Sequence, residues 1–449
     1  MKLLKLSISG VRGVVGETIT PELVLDFACA FGTMLPPGPV IVGRDTRKSG
    51  PMIQQAVVSA LLSTGHQVLD FDICPTPIIQ FSVKKERVRG AISITAGHNP
   101  AEWNALNFIN NYGTYLNEFQ GSDLLDIYHL NHFRFKSPKQ FPGISHEVNP
   151  EEVYFSWLKN KLRVQEISQA KFKVVVDPCN GAGSKLIDRF LGELGVEPIT
   201  VNNEGSGYFP HDPEPRPRNA GEVASLVRAT GAQVGFLLNS DCSRVSLVTE
   251  TGETLSEEYT LPLVASYYLR WQPGPVITNL STSMMIEAVA KKFGLPLVRT
   301  KVGQSSIIQT MLQEEAAVAG EGSGGLALKN FQPAFDGFVV IGLILERMAV
   351  EQRKLSELVK ELPHYHIVKD KIFCPPHRLH SLVAETKKLY PGKDINSTDG
   401  LRITGKDFWV HIRASTTEPI IRIVAESPSR NRAQLEVDKV MAFLKRLSG

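Results

Sequence analysis

The stretch Val174-Val175-Val176, Asp177-Pro178-Cys179-Asn180-Gly181-Ala182-Gly183-Ser184 and Lys185–Leu194, closed by Gly195, decides the fold. Three β-branched residues in a row read as a buried strand and the small, polar residues after them as a loop. The apolar-periodic stretch reads as a helix, and the glycine just past it as the helix stop. The same unit recurs on both sides. Upstream, Val40-Ile41-Val42 leads through Gly43–Gly50 (GRDTRKSG) into Pro51–Thr64, then Gly65 and a second run at Val68-Leu69. Downstream, Val276-Ile277 leads through Thr278–Ser283 (TNLSTS) into Met284–Phe293 and Gly294. Each is a βαβ unit with a parallel sheet, in which chemistry sits at the carboxyl ends of the strands. One copy is generic α/β structure, but three spread over most of the chain predict three related α/β domains. The tail changes character. Trp409-Val410-His411-Ile412 and Ile420–Ala425 flank the loop Arg413–Pro419, and a helix over Arg432–Leu447 closes the chain, which predicts a smaller α+β domain. Phe141–Glu151, Glu250–Glu257 and Glu361–Lys369 read as linkers.

Composition narrows the class. The chain has 449 residues, 42% hydrophobic and 21% charged, an ordinary globular balance divided among several domains. Lys+Arg 49 against Asp+Glu 46 leaves a formal charge of +3, too little for bulk attraction to nucleic acid or to an anionic membrane. Cys29, Cys74, Cys179, Cys242 and Cys374 are scattered and never spaced Cys-x-x-Cys, which fits a reducing compartment rather than a thiolate metal site. The longest apolar stretch, Gly337–Leu345, ends at Glu346 and is too short for ~30 Å of hydrocarbon. The first ten residues lack a signal-peptide core. A cytoplasmic, multidomain protein is expected.

Several loops carry chemistry. Arg413-Ala414-Ser415-Thr416-Thr417-Glu418-Pro419, with Arg422 behind it, places two guanidiniums and three hydroxyls within ten residues. Guanidinium forks match phosphate oxygens bidentately and hydroxyls fill the remaining acceptor sites; the alternative is a solvated hairpin with an Arg–Glu pair. Gly43–Gly50 lies between a strand and a helix N-terminus, so it suits an anion or holds a structural Arg44–Asp45 pair. Arg12, in Ser9–Gly13, is another glycine-flanked arginine. Gly320-Glu321-Gly322-Ser323-Gly324-Gly325 matches G-x-G-x-x-G, but Leu326–Lys329 after it reads as a strand, so a nicotinamide site is rejected. Glu321 and Ser323 suit sugar hydroxyls better. His98, in Thr95–Pro100, is by itself a turn histidine. Asn239, Asp241 and Ser243 alternate like a cation loop but bring one carboxylate, where Mg²⁺ wants several.

In this order, SISGVRG (Ser7–Gly13), GRDTRKSGPMI (Gly43–Ile53), HNPAEWNAL (His98–Leu106), TNLSTS, GEGSGG (Gly320–Gly325) and RASTTEP (Arg413–Pro419) resemble the α-D-phosphohexomutase family over essentially the whole chain. The bacterial phosphoglucosamine mutases are nearest. The resemblance implies three α/β domains with mixed sheets (1–149, 150–252 and 253–364) and a smaller C-terminal α+β domain (365–449), around a central cleft. It implies phosphoryl exchange between a phosphoserine and a sugar phosphate. Mg²⁺ is held there by the phosphoserine and a D-x-D-x-D-R loop.

Placed on this chain, that machinery is incomplete. Gly97 stands where the family has its phosphoserine, and Asn107 where it has a lysine that assists proton transfer. Asn239, Asp241 and Ser243 stand at the metal loop, which is expected to be weak or empty, so no tightly bound cofactor is expected. Phe335 stands in place of the arginine that commonly precedes Asp336. Arg12, His98, Glu321, Ser323, Arg413, Ser415, Thr417 and Arg422 are retained. The expectation is a protein that grips a hexose phosphate, a glucosamine or glucose phosphate, and is catalytically silent, an isomerase-family pseudoenzyme of carbohydrate metabolism. Two readings compete. One is an active mutase using Thr95, Ser93 or His98 as phosphoryl carrier; the other is a non-catalytic interaction protein. Neither nucleic acid nor membrane is an expected partner, and a homodimer or a pairing with an active mutase suits the reading.

Overall fold

The computed structural model describes residues 5–7, 10–146, 149–415 and 419–448, and the elements below are counted among these. The chain divides into two compact bodies: Met1–Val264 with Ser323–Val359, and Ala265–Gly322 with Lys360–Gly449.

The first body holds two mixed sheets. Seven strands run in the order Lys5–Ser7, Gly10–Val14, Trp103–Asn110, Gly90–Ile94, Val40–Arg44, Val68–Ile73, Ile144–His146. Val40–Arg44 is parallel to both its neighbours, and Trp103–Asn110 is antiparallel to both of its own. Four more run Val245–Thr249, Val234–Leu238, Lys173–Asp177, Glu197–Thr200; the first pairs antiparallel and the rest parallel. Val174, Val175 and Val176 have no exposed surface, as their unbroken apolar run requires of a strand covered on both faces. Each such side chain contributes roughly 1.5–3 kcal/mol of transfer free energy.

The apolar run from Gly337 opens the helix Gly337–Glu351, buried from Gly337 through Met348. That explains its composition: it is a core helix, apolar all round as far as Leu345. Among the described residues no helix is long and apolar enough to cross a membrane. Phe338 packs within 5.3–6.0 Å of the rings of Tyr154, Phe155 and Phe190. Asp336 caps the same helix, accepting from Phe338 N and Val339 N, and also accepts from Tyr154 Oη at 2.6 Å. Burial pushes its carboxyl up to about 6 against the bonds from Tyr154 and Gln332.

The second body holds a parallel set, Leu297–Thr300, Val276–Asn279, Val318–Gly320, and a five-stranded antiparallel sheet. The order of the latter is His366–Phe373, Ile420–Ser427, Trp409–Ala414, Leu401–Thr404, Asp394–Asn396, with the helix Arg430–Ser448 packed on the two strands at one edge. Two of the expected linkers carry sheet structure instead. Ile144–His146 pairs parallel with Val68–Ile73, and the strand His366–Phe373 begins inside 361–369. Polar, short or edge strands have no apolar periodicity to betray them.

Candidate functional site

On the first body the loop 95–100 leaves the carboxyl end of Gly90–Ile94, and Asp45 and Arg47 hold it in place. Asp45 accepts from Thr95 Oγ1 at 2.6 Å, Ser240 Oγ at 3.0 Å and Arg47 Nε at 3.0 Å. Arg47, 1% exposed, donates onward to the carbonyls of Gly97 (2.9 Å), Asn99 (2.7 Å) and Trp103 (3.0 Å). Ser240 Oγ also donates to Gly97 O at 2.8 Å. The expected Arg44–Asp45 ion pair does not form. Asp45 pairs with Arg47, while Arg44 bonds Gln54 Oε1 at 2.8 Å and Asp72 at 2.5 Å.

Asn107 is a brace. Its Nδ2 donates to the carbonyls of Ser93 (3.1 Å) and Thr95 (2.8 Å), both on the strand and loop that lead to Gly97. Gly97 has φ +54°, and a Cβ built on it would lie 3.3 Å from Asp241 Oδ2 and 3.7 Å from Asn239 Nδ2. The position thus faces the loop after Val234–Leu238 with nothing but a carboxylate and an amide in front of it.

That loop is closed on itself. Asn239 Oδ1 accepts from Arg244 N at 3.1 Å, which turns its Nδ2 toward Ser243 Oγ at 3.2 Å. Ser243 in turn donates to Asp241 Oδ1 from Oγ at 2.6 Å and from N at 3.0 Å. Among the described residues there is no cluster of three or more His, Cys, Asp or Glu side chains that could hold a metal.

Cations converge on the same place. Arg12 Nη1 donates to Asn99 Oδ1 at 2.7 Å, and burial, then neighbouring Arg244, hold its guanidinium below the usual range. Arg244 Nη1 bonds His98 Nδ1. Burial, then Arg244, Arg12, Arg216 and Arg47, keep His98 well below the ordinary imidazole range. His98 is therefore neutral with Nδ1 accepting, so its hydrogen is on Nε2. Burial and Asp241 push the nearby Tyr115 hydroxyl up. Arg12, Gly97, His98, Asn107, Asn239, Asp241 and Ser243 are thus one neighbourhood. Arg216 and Tyr115 escaped sequence reading, because neither lies in a patterned loop.

On the second body Arg413 and Arg422 are direct cross-strand partners on Trp409–Ala414 and Ile420–Ser427. The hairpin is closed by Ser415 N donating to Ile420 O at 2.9 Å. Ser415 is buried, and Thr417 lies outside the described residues. Burial lowers Arg413; Asp399 opposes this, Arg422 adds to it, and Glu321 also opposes it. Glu321, just past Val318–Gly320, accepts at 3.2 Å from Nδ2 of Asn279, the last residue of Val276–Asn279. His411 accepts from Ser281 Oγ at 2.7 Å and donates from Nε2 to Asp399 O at 2.6 Å. Burial pulls its imidazole down to about 4. Asp399 and His411 had no sequence signal. Ser323 belongs to the first body, half-buried beside Gly324, whose carbonyl accepts from Val245 N.

The departure at Phe335 is a packing event with Gly325. A Cβ on Gly325 would come 2.3 Å from Phe335 Cδ2, so the Phe335 ring occupies the space a side chain at 325 would need. Gly325→Ala should destabilise by about 1–3 kcal/mol, the cost of overpacking a filled core. Phe335→Leu should recover most of that in the double variant, read as melting temperatures; a silent Gly325→Ala would remove this explanation.

Three α/β modules followed by an antiparallel module with a central arginine pair are the architecture of a phosphohexomutase. Models of the phosphoglucomutase/phosphomannomutase family match all four: alpha/beta/alpha domain I at residues 4–134, domain II at 152–252, domain III at 256–365 and the C-terminal domain at 368–443. A phosphoglucomutase/phosphomannomutase of Thermococcus kodakarensis is 36% identical over 437 residues, 95% of each chain. The "probable phosphoglucosamine mutase" of Pyrococcus abyssi is 33% identical over 443 residues, 97% of each chain. A phosphoglucomutase/phosphomannomutase family protein of Burkholderia thailandensis superposes with TM-score 0.84 at 24% identity, over 98% of this chain and 97% of that one. The chain belongs to the α-D-phosphohexomutase family.

Proposed function

We propose that this family member binds a hexose phosphate in the cytoplasm and does not transfer phosphoryl groups, acting as a regulator or partner of an active mutase. The observation that carries the reading is Gly97, a backbone without a nucleophile facing the single carboxylate of Asp241. The residues of the 239–243 loop do not fit magnesium. Asn239 presents its amide N–H inward, Ser243 donates to Asp241 Oδ1, and one carboxylate remains where a hard cation needs several oxygen ligands. The substitute carriers are engaged as well: Thr95 with Asp45, Ser93 with Thr76 Oγ1 at 2.9 Å, and His98 with Arg244.

Gripping parts persist. On the second body Arg413 and Arg422 present paired guanidiniums to a phosphate, joined by Ser415, and Glu321 accepts from sugar hydroxyls. Arg12 and Arg244 supply positive charge beside Gly97, and neutral His98 donates from Nε2. Phosphoryl transfer is almost wholly positioning and charge stabilisation, so keeping the grip without nucleophile, metal ligands or the lysine leaves binding alone.

Calorimetry with glucosamine 6-phosphate and glucose 6-phosphate, run beside a coupled mutase assay with a bisphosphate activator, tests this. Binding without turnover is expected. Turnover near that of active relatives would overturn the silent reading, and no heat at millimolar ligand would defeat the binding.

A further inference from the structure

The strand Trp409–Ala414 has two faces. Val410 and Ile412 lie in the apolar core of the antiparallel module, and His411 and Arg413 share the other face. Arg402 stands directly opposite His411 on Leu401–Thr404, and Val424 stands opposite it on Ile420–Ser427. His411 is 1% exposed, and burial first, then Arg413 and Arg402, keep its imidazole neutral. An apolar side chain like that of Val424 suits this face at lower cost than a buried ring, which needs a partner for each nitrogen. His411 has both partners. Nε2 donates to Asp399 O at 2.6 Å, and Nδ1 accepts from Ser281 Oγ at 2.7 Å.

Ser281 is one end of a chain of bonds that reaches Glu321. Its N–H donates to Asn279 Oδ1 at 2.8 Å, and the other arm of that amide, Nδ2, donates to Glu321 Oε2 at 3.2 Å. Thr282 braces the same turn, donating to Asn279 Oδ1 at 3.1 Å and accepting from Gly322 N at 3.3 Å. Asn279, Thr282 and Glu321 are all buried. At the far end, His411 lies two positions before Arg413 on one strand, and Glu321 is near enough to Arg413 to favour its charge.

A second tie joins the same parts of this body. Glu426 accepts from Met284 N at 2.7 Å and from Trp409 Nε1 at 2.6 Å, holding the start of the helix Met285–Lys292. Docking of the two sheets therefore does not depend on His411 alone. What His411 adds is a link from the phosphate hairpin to the loop that carries Glu321.

We propose that His411 is a positioning residue for hexose phosphate: through Ser281 and Asn279 it fixes where Glu321 stands relative to Arg413, so that a sugar ester is held better than bare phosphate. The proposal rests on the hexose phosphate reading and adds the residue that sets its discrimination.

Calorimetry on the intact protein with glucose 6-phosphate and inorganic phosphate tests it, and the readout is the ratio of the two affinities. Inorganic phosphate reports the arginine pair, and the ester adds Glu321. His411→Gln keeps a donor for Asp399 O but offers Ser281 no acceptor, and should lower the ratio about tenfold while phosphate binds as before. Ser281→Ala cuts the same bond from its other side and should do the same. His411→Asn, whose Oδ1 stands near the place of Nδ1, should recover most of the ratio. In a Glu321→Ala background His411→Gln should have no further effect, because it acts through Glu321. A merely structural role would lower both affinities together and overturn the proposal. So would an unchanged ratio in His411→Gln and Ser281→Ala, an asparagine variant as poor as the glutamine one, or effects that add to that of Glu321→Ala. A parent protein that holds glucose 6-phosphate no better than phosphate would defeat the sugar reading together with this role, whereas a high parent ratio untouched by the variants would defeat this role alone.

Discussion

Gly97→Ser alone is expected to leave turnover at background, while the combination with Asn107→Lys, Asn239→Asp and Ser243→Asp should raise it by at least ~10³-fold over the single variant. A serine side chain added at 97 starts 3.3 Å from Asp241 Oδ2, so its hydroxyl meets a carboxylate that already accepts from Ser243. It must also adopt φ +54°, a left-handed conformation costing roughly 1–2 kcal/mol for a residue with a Cβ. A phosphoserine there would place a dianion beside Asp241 with no metal to neutralise either. Two unit charges 4 Å apart repel by about 4 kcal/mol at protein-like screening, the equivalent of nearly 10³ in rate. Restoring two carboxylates rebuilds a cation site, and the lysine at 107 replaces a brace with a proton donor. Asn107 presently bonds two carbonyls of the segment leading to Gly97, so the quadruple variant should also melt lower than the parent. The measurement is a coupled mutase assay with intact-mass detection of phosphorylated protein. Turnover from Gly97→Ser alone would sink the account of a dismantled site.

The parts of this molecule that could be read from its sequence are those with local causes. Val174–Val176 must be a covered strand because three β-branched apolar residues in succession leave no face for water, and the structure buries all three. The antiparallel tail was legible from its two apolar strand runs around one polar loop. Long-range partnerships were not. Nothing adjacent in sequence couples Arg47 to Gly97 and Trp103, and the nearer arginine, Arg44, looked the better partner for Asp45. Gly325 and Phe335 share no motif in the sequence, yet the Phe335 ring fills the space a side chain at 325 would need. Gln80 and Trp157 belong to two stretches with no shared motif, and only the packing of two helices brings them around one cavity.

Arg413→Ala should raise the dissociation constant for glucose 6-phosphate and glucosamine 6-phosphate by about 10–100-fold while making the unliganded protein no less stable. Both effects have one cause. Arg413 and Arg422 sit directly opposite each other on neighbouring antiparallel strands, where like charges destabilise by roughly 0.2–1 kcal/mol. Burial and Arg422 both work against the Arg413 guanidinium, with Asp399 and Glu321 opposing them. An unfavourable cation pair kept on a sheet has an evident use if an anion is to lie across it. A hydrogen bond to a charged group contributes about 1.5–3 kcal/mol, which converts to the stated loss of affinity. Arg413→Lys keeps the charge and loses the planar fork, so it should fall between parent and alanine variant if the phosphate is held bidentately. Calorimetry gives the affinities and thermal melts with and without ligand give the stabilities. A substitution that lowers the unliganded melt by several degrees and leaves affinity intact would assign the arginine pair to the hairpin, with no role in holding phosphate.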